Sequence, residues 1–311
     1  MAHQINVAVI GAGAIGGWAA ARLALAGTQV MALNSRGALD KIEIVEAGIS
    51  TVATFGTFEG PADLVIVAVK ATALAAAAEA SGGLIGPDTL ILPMLNGVPW
   101  WFVDQLQLRS IDPDGSIAAA LPTRQVVGCV VHVSCSRSSS GTVLVKNADK
   151  LIIGELGGEE SRRIAVLYSL LDRAGLRPDL TGNVRRAIWY KLWGNATINP
   201  LSALTRAPCD RILAEPELRK WMLEGMAELA AIGAAIGCPI TESGEDRIRV
   251  TERLGSFKTS MLQDVEAGRR IELEALLGAP REIAEKLGIK TPALDRIYGA
   301  TRLMAESSGL A

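Results

Sequence analysis

A lysine and two asparagines recur at four-residue intervals in the stretch Ile188-Trp-Tyr-Lys191-Leu-Trp-Gly-Asn195-Ala-Thr-Ile-Asn199-Pro-Leu201. On a helix, positions i, i+4 and i+8 stack along one face. Ile188, Leu192 and Ile198 are apolar and Trp189 and Trp193 lie beside them, so this helix is expected to be largely buried. An ammonium between two amides in such a place needs partners, because an unpaired buried polar group costs about 1–3 kcal/mol. A ligand is one possible partner. A surface lysine with two turn-capping amides, Asn199-Pro200 ending or kinking the helix, fits the same spacing. The only histidines are His3 and His132, and His132 sits in an apolar run as a packed core residue would. Neither a histidine-based triad nor a zinc site is expected.

Positioning such a lysine requires a scaffold, and the chain begins with one. The β-branched run Ile5–Ile10 leads into Gly11-Ala-Gly13-Ala14-Ile15-Gly16, then a helical pattern over 18–26 and a second strand over 29–33. This is the strand–GxGxxG–helix context of a dinucleotide site. Gly11 makes the tight turn, Gly13 lets the backbone approach a pyrophosphate, and Gly16 lets the helix pack closely. Amides at Ala14, Ile15 and Gly16 then meet the phosphate charge at the helix N-terminus. After the second strand, where an NAD site usually carries a carboxylate, stand Asn34, Ser35 and Arg36. Nothing there repels a ribose 2′-phosphate and Arg36 can pair with it, so NADP(H) is the expected cofactor. Alternatively, Arg36 is a solvated loop residue. The apolar strand 64–69 ends at Lys70 and the strand 90–92 runs into Pro93-Met-Leu-Asn96-Gly97, which puts Lys70 and Asn96 at the carboxyl edge where doubly wound sheets bind ligands.

Further strands are expected at 126–134, 142–145 and 151–155, extending the sheet in antiparallel fashion, followed by a helix over 161–174. From about residue 180 the pattern is helical, over 184–204, 215–236, 244–254, 269–287 (broken near Gly278-Ala-Pro280) and 291–307. Two domains are therefore expected, 1–182 and 183–311, with Lys191 on the helix that opens the second and facing the cleft between them.

With 49% hydrophobic and 21% charged residues and a net charge of −2, the composition is that of a globular protein with a sizeable core. Interspersed charges give no nucleic-acid surface and no polybasic membrane patch, and no apolar run is long enough to span a bilayer. The N-terminus lacks a basic region of the signal-peptide kind. Cys129, Cys135, Cys209 and Cys238 show no metal-ligand spacing, so reduced packing cysteines in a cytoplasmic protein are expected.

The chain resembles the ketopantoate reductase (2-dehydropantoate 2-reductase) family over nearly its full length. The matching stretches are Gly11-Ala-Gly-Ala-Ile-Gly16, Val69-Lys70, Leu95-Asn96-Gly97, Trp189-Tyr-Lys191-Leu-Trp-Gly-Asn195-Ala-Thr-Ile-Asn199-Pro200, and Ser260-Met-Leu-Gln-Asp264 with Glu272. The resemblance implies a Rossmann-type doubly wound domain, followed by an all-helical domain like the C-terminal one of 6-phosphogluconate dehydrogenase. It implies NADPH-dependent reduction of 2-dehydropantoate to (R)-pantoate in pantothenate biosynthesis, and a homodimer is compatible with it. By position, Lys191 would be the proton donor, with Glu272 holding and tuning it. Asn195, Asn199 and Asn96 would bind the substrate, and Ser260 would receive its carboxylate or hydroxyl end. Asn96 and Lys70 would also contact the nicotinamide-ribose side, while Arg36, sharing the task with Ser35, would take the 2′-phosphate.

Two features depart from the family pattern. Arg36 comes one residue later than the usual arginine, and Val98-Pro99-Trp100-Trp101-Phe102 stands where small or polar residues are typical. The aromatic block either lines the site, favouring another bulky 2-keto acid, or anchors the loop from beneath. A catalytically silent NADP-binding sensor would not require the Lys191, Glu272 and Ser260 set. Ser260 and Glu272 are twelve residues apart, about 120° around a straight helix, so Ser260 is expected just before or at the start of the helix carrying Glu272.

Overall fold

The computed structural model describes residues 4–103 and 106–311, so His3 lies outside it. The chain divides into two compact units, residues 1–95 with 115–185, and 96–114 with 186–311. The first unit runs β1 (Asn6–Ile10), α1 (Ala14–Leu25), β2 (Gln29–Asn34), β3 (Gly37–Leu39), β4 (Lys41–Glu46), β5 (Ile49–Thr54) and β6 (Leu64–Val67). It continues through α2 (Leu74–Ala80), β7 (Leu90–Pro93), α3 (Ser116–Ala120), β8 (Gly128–Arg137), β9 (Val143–Gly154), α4 (Arg162–Arg173) and β10 (Pro178–Leu180).

The apolar runs at the start of the chain become a five-stranded sheet in the order β3-β2-β1-β6-β7, with β2, β1, β6 and β7 parallel and β3 antiparallel. Every residue of β6 is buried, as expected of a strand covered on both faces. The later strands do not extend this sheet. They form a second one, β10-β9-β4-β5 with β8 on β9, in which β4 and β5 are strands the hydrophobic pattern alone did not suggest. Among the described residues the sheets are joined by one parallel bridge, Ile91 to Val126, and Val127 N donates to Ile91 O at 2.9 Å. The two expected strands 142–145 and 151–155 are a single strand of 12 residues, β9.

Helix α1 packs against strands of both sheets, which explains its composition. Its sequence AIGGWAAARLAL buries every residue from Gly16 to Ala21 and Leu23, and small residues let two layers come close. Adjacent glycines face the two sides. A Cβ on Gly16 would stand 2.3 Å from Gly11 O and 2.9 Å from Ala68 Cβ, whereas one on Gly17 would stand 2.7 Å from Ile42 Cδ1.

In the second unit the chain forms α5 (Val184–Thr205, entering the unit at its third residue), α6 (Cys209–Ala214), α7 (Pro216–Ala235), α8 (Gly244–Glu252), α9 (Ser260–Glu266), α10 (Ala279–Lys286) and α11 (Pro292–Ser307). A π-helical turn, Glu274–Gly278, precedes α10. Trp189 and Trp193 bury their rings and donate Nε1–H to Leu229 O (3.0 Å) and Met226 O (2.7 Å), which locks α5 to α7. Pro200 lies inside α5, which continues to Thr205. No described helix is long and apolar enough to cross a membrane, and no described group of His, Cys, Asp and Glu could hold a metal ion.

Candidate active site

Both the lysine stripe and the segment facing it belong to the helical unit. Lys191 is half-buried on α5, and its Nζ donates to Asn96 Oδ1 at 2.9 Å. That bond orients the amide, with Oδ1 toward the ammonium and Nδ2 left to donate elsewhere. Asn195 is half-buried and Asn199 buried on the same stripe. Sequence position alone does not bring Asn96 to Lys191, since 95 residues separate them.

The loop carrying Asn96 is fixed at three points. Gly97 takes φ +80, where side chains are disfavoured, and a Cβ there would lie 2.4 Å from Ala275 O. Val98 N donates to that same carbonyl at 2.9 Å. Behind them Val98, Trp100, Trp101 and Phe102 are buried, and Phe102 stacks on Trp189 with centroids 5.7 Å apart and planes 19° apart. The aromatic block therefore anchors the loop from beneath. Farther along, Glu282 of α10 accepts from Arg109 N and Ser110 N, both at 2.9 Å, and from Ser110 Oγ at 2.8 Å. Burial raises the Glu282 pKa, but these hydrogen bonds outweigh it and hold the carboxyl below its ordinary value.

Ala275 sits in the π-helical turn, a feature often found at functional sites. Glu272, half-buried, stands just ahead of this segment, and its carbonyl accepts from Leu276 N at 3.2 Å. It is thus at the threshold of the helical segment rather than within a helix running from 269. Ser260 is not at the start of that segment. It is the exposed first residue of the separate helix α9, capped by Thr259, whose side chain accepts from Leu262 N at 3.1 Å. The turn at Gly268 separates α9 from Glu272.

Apart from Asn96, the cofactor candidates belong to the first unit. Gly11 takes φ +91 at the turn after β1, and a Cβ there would strike Val69 Cγ1 at 2.5 Å and Ala68 O at 2.7 Å. Gly13 differs, since its Cβ would meet nothing nearer than 3.9 Å. The protein's own packing does not demand glycine at that position, whereas a dinucleotide's pyrophosphate passing over it would. Ala14, Ile15 and Gly16 open α1, so their amides have no carbonyl of their own helix to bond. The residues present fit a dinucleotide.

Ser35 and Arg36 form the exposed two-residue tip of the β2–β3 hairpin, where Asn34 pairs with Gly37. Arg36 N donates to Asn34 Oδ1 at 2.7 Å, leaving its guanidinium at the tip. Lys70 follows β6 and is half-buried. Arg137, which the motifs do not single out, ends β8 and donates from Nη1 to Ala12 O in the glycine loop at 3.3 Å. With 125 residues between the two, no local signal could have found it.

The family model described as ketopantoate reductase PanE/ApbA matches residues 7–158, and its C-terminal companion matches residues 183–305. A 2-dehydropantoate 2-reductase of Mesorhizobium japonicum is 33% identical over 323 aligned positions, covering 98% of this chain and 99% of its own. A crystal structure from Ralstonia solanacearum MolK2, provisionally assigned as a ketopantoate reductase, superposes with a TM-score of 0.93 at 43% identity, over 99% of this chain and all of the other. A dimeric ketopantoate reductase from Staphylococcus aureus gives a TM-score of 0.78 at 25% identity, over 98% of this chain and all of its own. Two matching family models over most of the length, and relatives alike from end to end, make this chain a member of the ketopantoate reductase family of oxidoreductases.

Proposed function

We propose that this protein reduces the ketone of 2-dehydropantoate to give (R)-pantoate, with NADPH as reductant and Lys191 as proton donor. The observation that carries the reading is the hydrogen bond from Lys191 Nζ to Asn96 Oδ1, 2.9 Å, which holds an ammonium on the polar stripe of an otherwise apolar helix in a chain of this family. NADPH, when bound, supplies the hydride from C4 of its nicotinamide. Lys191 does the remaining work, stabilising the carbonyl oxygen as negative charge develops and then giving it a proton. Asn96 orients the ammonium, and Glu272 holds it from the other segment. Asn195, Asn199 and Ser260 bind the substrate's polar groups, and Asn96 and Lys70 contact the ribose next to the nicotinamide.

The first unit is assigned to the cofactor, through Gly11, Gly13 and the amides of Ala14, Ile15 and Gly16 on the pyrophosphate. Ser35 and Arg36 take the 2′-phosphate, which the missing carboxylate at 34–36 favours. Burial of Trp100 and Trp101 supports their role as anchors and so favours 2-dehydropantoate over a bulkier keto acid. The four free cysteines fit a reducing, cytoplasmic setting, and the dimeric relative supports a homodimer. Oxidation of NADPH with 2-dehydropantoate and a panel of other 2-keto acids tests the reading. The expected result is the highest kcat/KM with 2-dehydropantoate, and no turnover of any of them would overturn it.

A further inference from the structure

Arg247 of α8 stands out because its guanidinium has no ionic partner. Its Nε is buried without a hydrogen-bond acceptor, and among the described residues no carboxylate pairs with it. What it does contact is neutral. Nη1 donates to Thr251 Oγ1 at 3.2 Å, and the guanidinium carbon lies 5.7 Å from the centre of the Tyr190 ring. Burial lowers its pKa, so the site disfavours the charge it carries. Several other arginines of this chain are matched to acids, as Arg219 is to Glu245 and Glu252, or Arg281 to Asp295. Leaving a largely desolvated cation unmatched is destabilising, and the deficit is removed when an anion arrives.

The location indicates which anion. The guanidinium lies on Gly194, where a Cβ would come 2.7 Å from Nη2 and 3.0 Å from the guanidinium carbon. A side chain at 194 would displace it, so the glycine in Lys191-Leu-Trp-Gly194-Asn195 makes room for this arginine. At 3.6 residues per turn, Gly194 is about 60° around α5 from Lys191 and about 100° from Asn195. Tyr190 immediately precedes the lysine. The cation is thus seated on the Tyr190–Gly194 side of α5, the side of Lys191 away from Asn195, and the residue keeps partial exposure through which a small anion can enter.

We propose that Arg247 recognises the carboxylate of the 2-keto acid, and this inference rests on the function proposed above. Lys191 is then reserved for the ketone oxygen and Ser260 for the substrate's hydroxyl end. The guanidinium fork matches a carboxylate in geometry and charge, and a charge-assisted bond of this kind is worth about 10- to 100-fold in binding.

The test compares the wild type with Arg247→Met and Arg247→Lys, using 2-dehydropantoate and its neutral carboxamide as substrates, with NADPH affinity measured alongside as a check of folding. The wild type is expected to favour the acid over the amide by at least about 10-fold in kcat/KM. In Arg247→Met the KM for the acid rises by about 10- to 100-fold, kcat falls less, and the preference over the amide disappears, while Arg247→Lys retains part of it. A residue that merely props α5 against α8 would lower activity toward acid and amide alike, and that result overturns the inference. An unchanged KM for the acid in both variants overturns it too. If the wild type itself does not distinguish acid from amide, the inference fails without reference to any variant. Absence of turnover with every keto acid would instead bring down the proposed function and this inference together.

Discussion

At the scale of single residues, the account depends on two cations with different tasks. Lys191 donates a hydrogen bond to Asn96 and, in the proposed function, protonates the alkoxide. Lys191→Ala should therefore lower kcat by about 10²–10⁴-fold, the usual worth of general acid catalysis, and leave NADPH affinity nearly unchanged. Near wild-type turnover in that variant would remove Lys191 from the chemistry. Arg36 lies at the tip of an exposed hairpin and, in the proposed function, takes the cofactor's 2′-phosphate. A charge-assisted bond to the 2′-phosphate contributes roughly 1.5–3 kcal/mol, so NADPH should bind about 10- to 100-fold more tightly than NADH. Arg36→Ala should lose most of that preference by weakening NADPH alone, as titration of both cofactors at one ionic strength would show. Equal affinity in the wild type would return Arg36 to the role of a solvated loop residue. The lysine stripe was legible because helical periodicity is a local property. Arg137 and Arg247 were not, since what matters about them is a contact made across 125 residues to Ala12 and across 57 residues to Tyr190.

At the scale of elements, the loop 96–102 must hold Asn96 in place, and Gly97 is its tightest point. Gly97→Ala introduces both a strained φ of +80 and a contact at 2.4 Å with Ala275 O, so the loop has to shift. Loss of kcat by at least about 10-fold is expected, exceeding what any fall in Tm explains, because small displacements of catalytic groups are costly. Full activity would show that Asn96 does not depend on this turn. Glu282 secures the following stretch, and its lowered pKa links that clamp to pH. A carboxylate whose pKa is lowered on folding stabilises above its unfolded pKa and stops doing so as pH falls through the folded one. The Tm gap between wild type and Glu282→Gln should be full at pH 7, shrink from about pH 4.3 downward and vanish below the lowered pKa. A gap that does not change with pH would contradict this origin.

Most of the elements could be read from hydrophobic period and glycine punctuation, and the exceptions have physical causes. Strand β9 looked like two strands because Lys146-Asn147-Ala148-Asp149-Lys150 is polar, yet backbone pairing with β8 carries it through with two bulges. The short strands β3 to β5 are half exposed and so lacked a strong apolar run. Spacing puts Ser260 just before or at the start of the helix carrying Glu272, because spacing alone cannot see that Ser260 opens a separate helix. The break is nevertheless written at Gly268, which takes φ +63 just after α9.

At the scale of the whole molecule, the sequence suggested one boundary near 182, while the segment 96–114 groups with the helical unit in space. That excursion is what brings Asn96 into the same unit as Lys191. The first unit supplies a glycine loop with room above Gly13, and the second supplies an oriented ammonium. In the proposed function both serve one reaction, hydride to the ketone carbon and proton to its oxygen. The most direct measurement follows the hydride itself, by incubating the protein with NADPH deuterated at C4 and 2-dehydropantoate and analysing the product by mass and chirality. The account predicts (R)-pantoate carrying one deuterium at C2, formed in step with NADPH consumption. Recovery of unreduced 2-dehydropantoate, or of pantoate without the label, would contradict it.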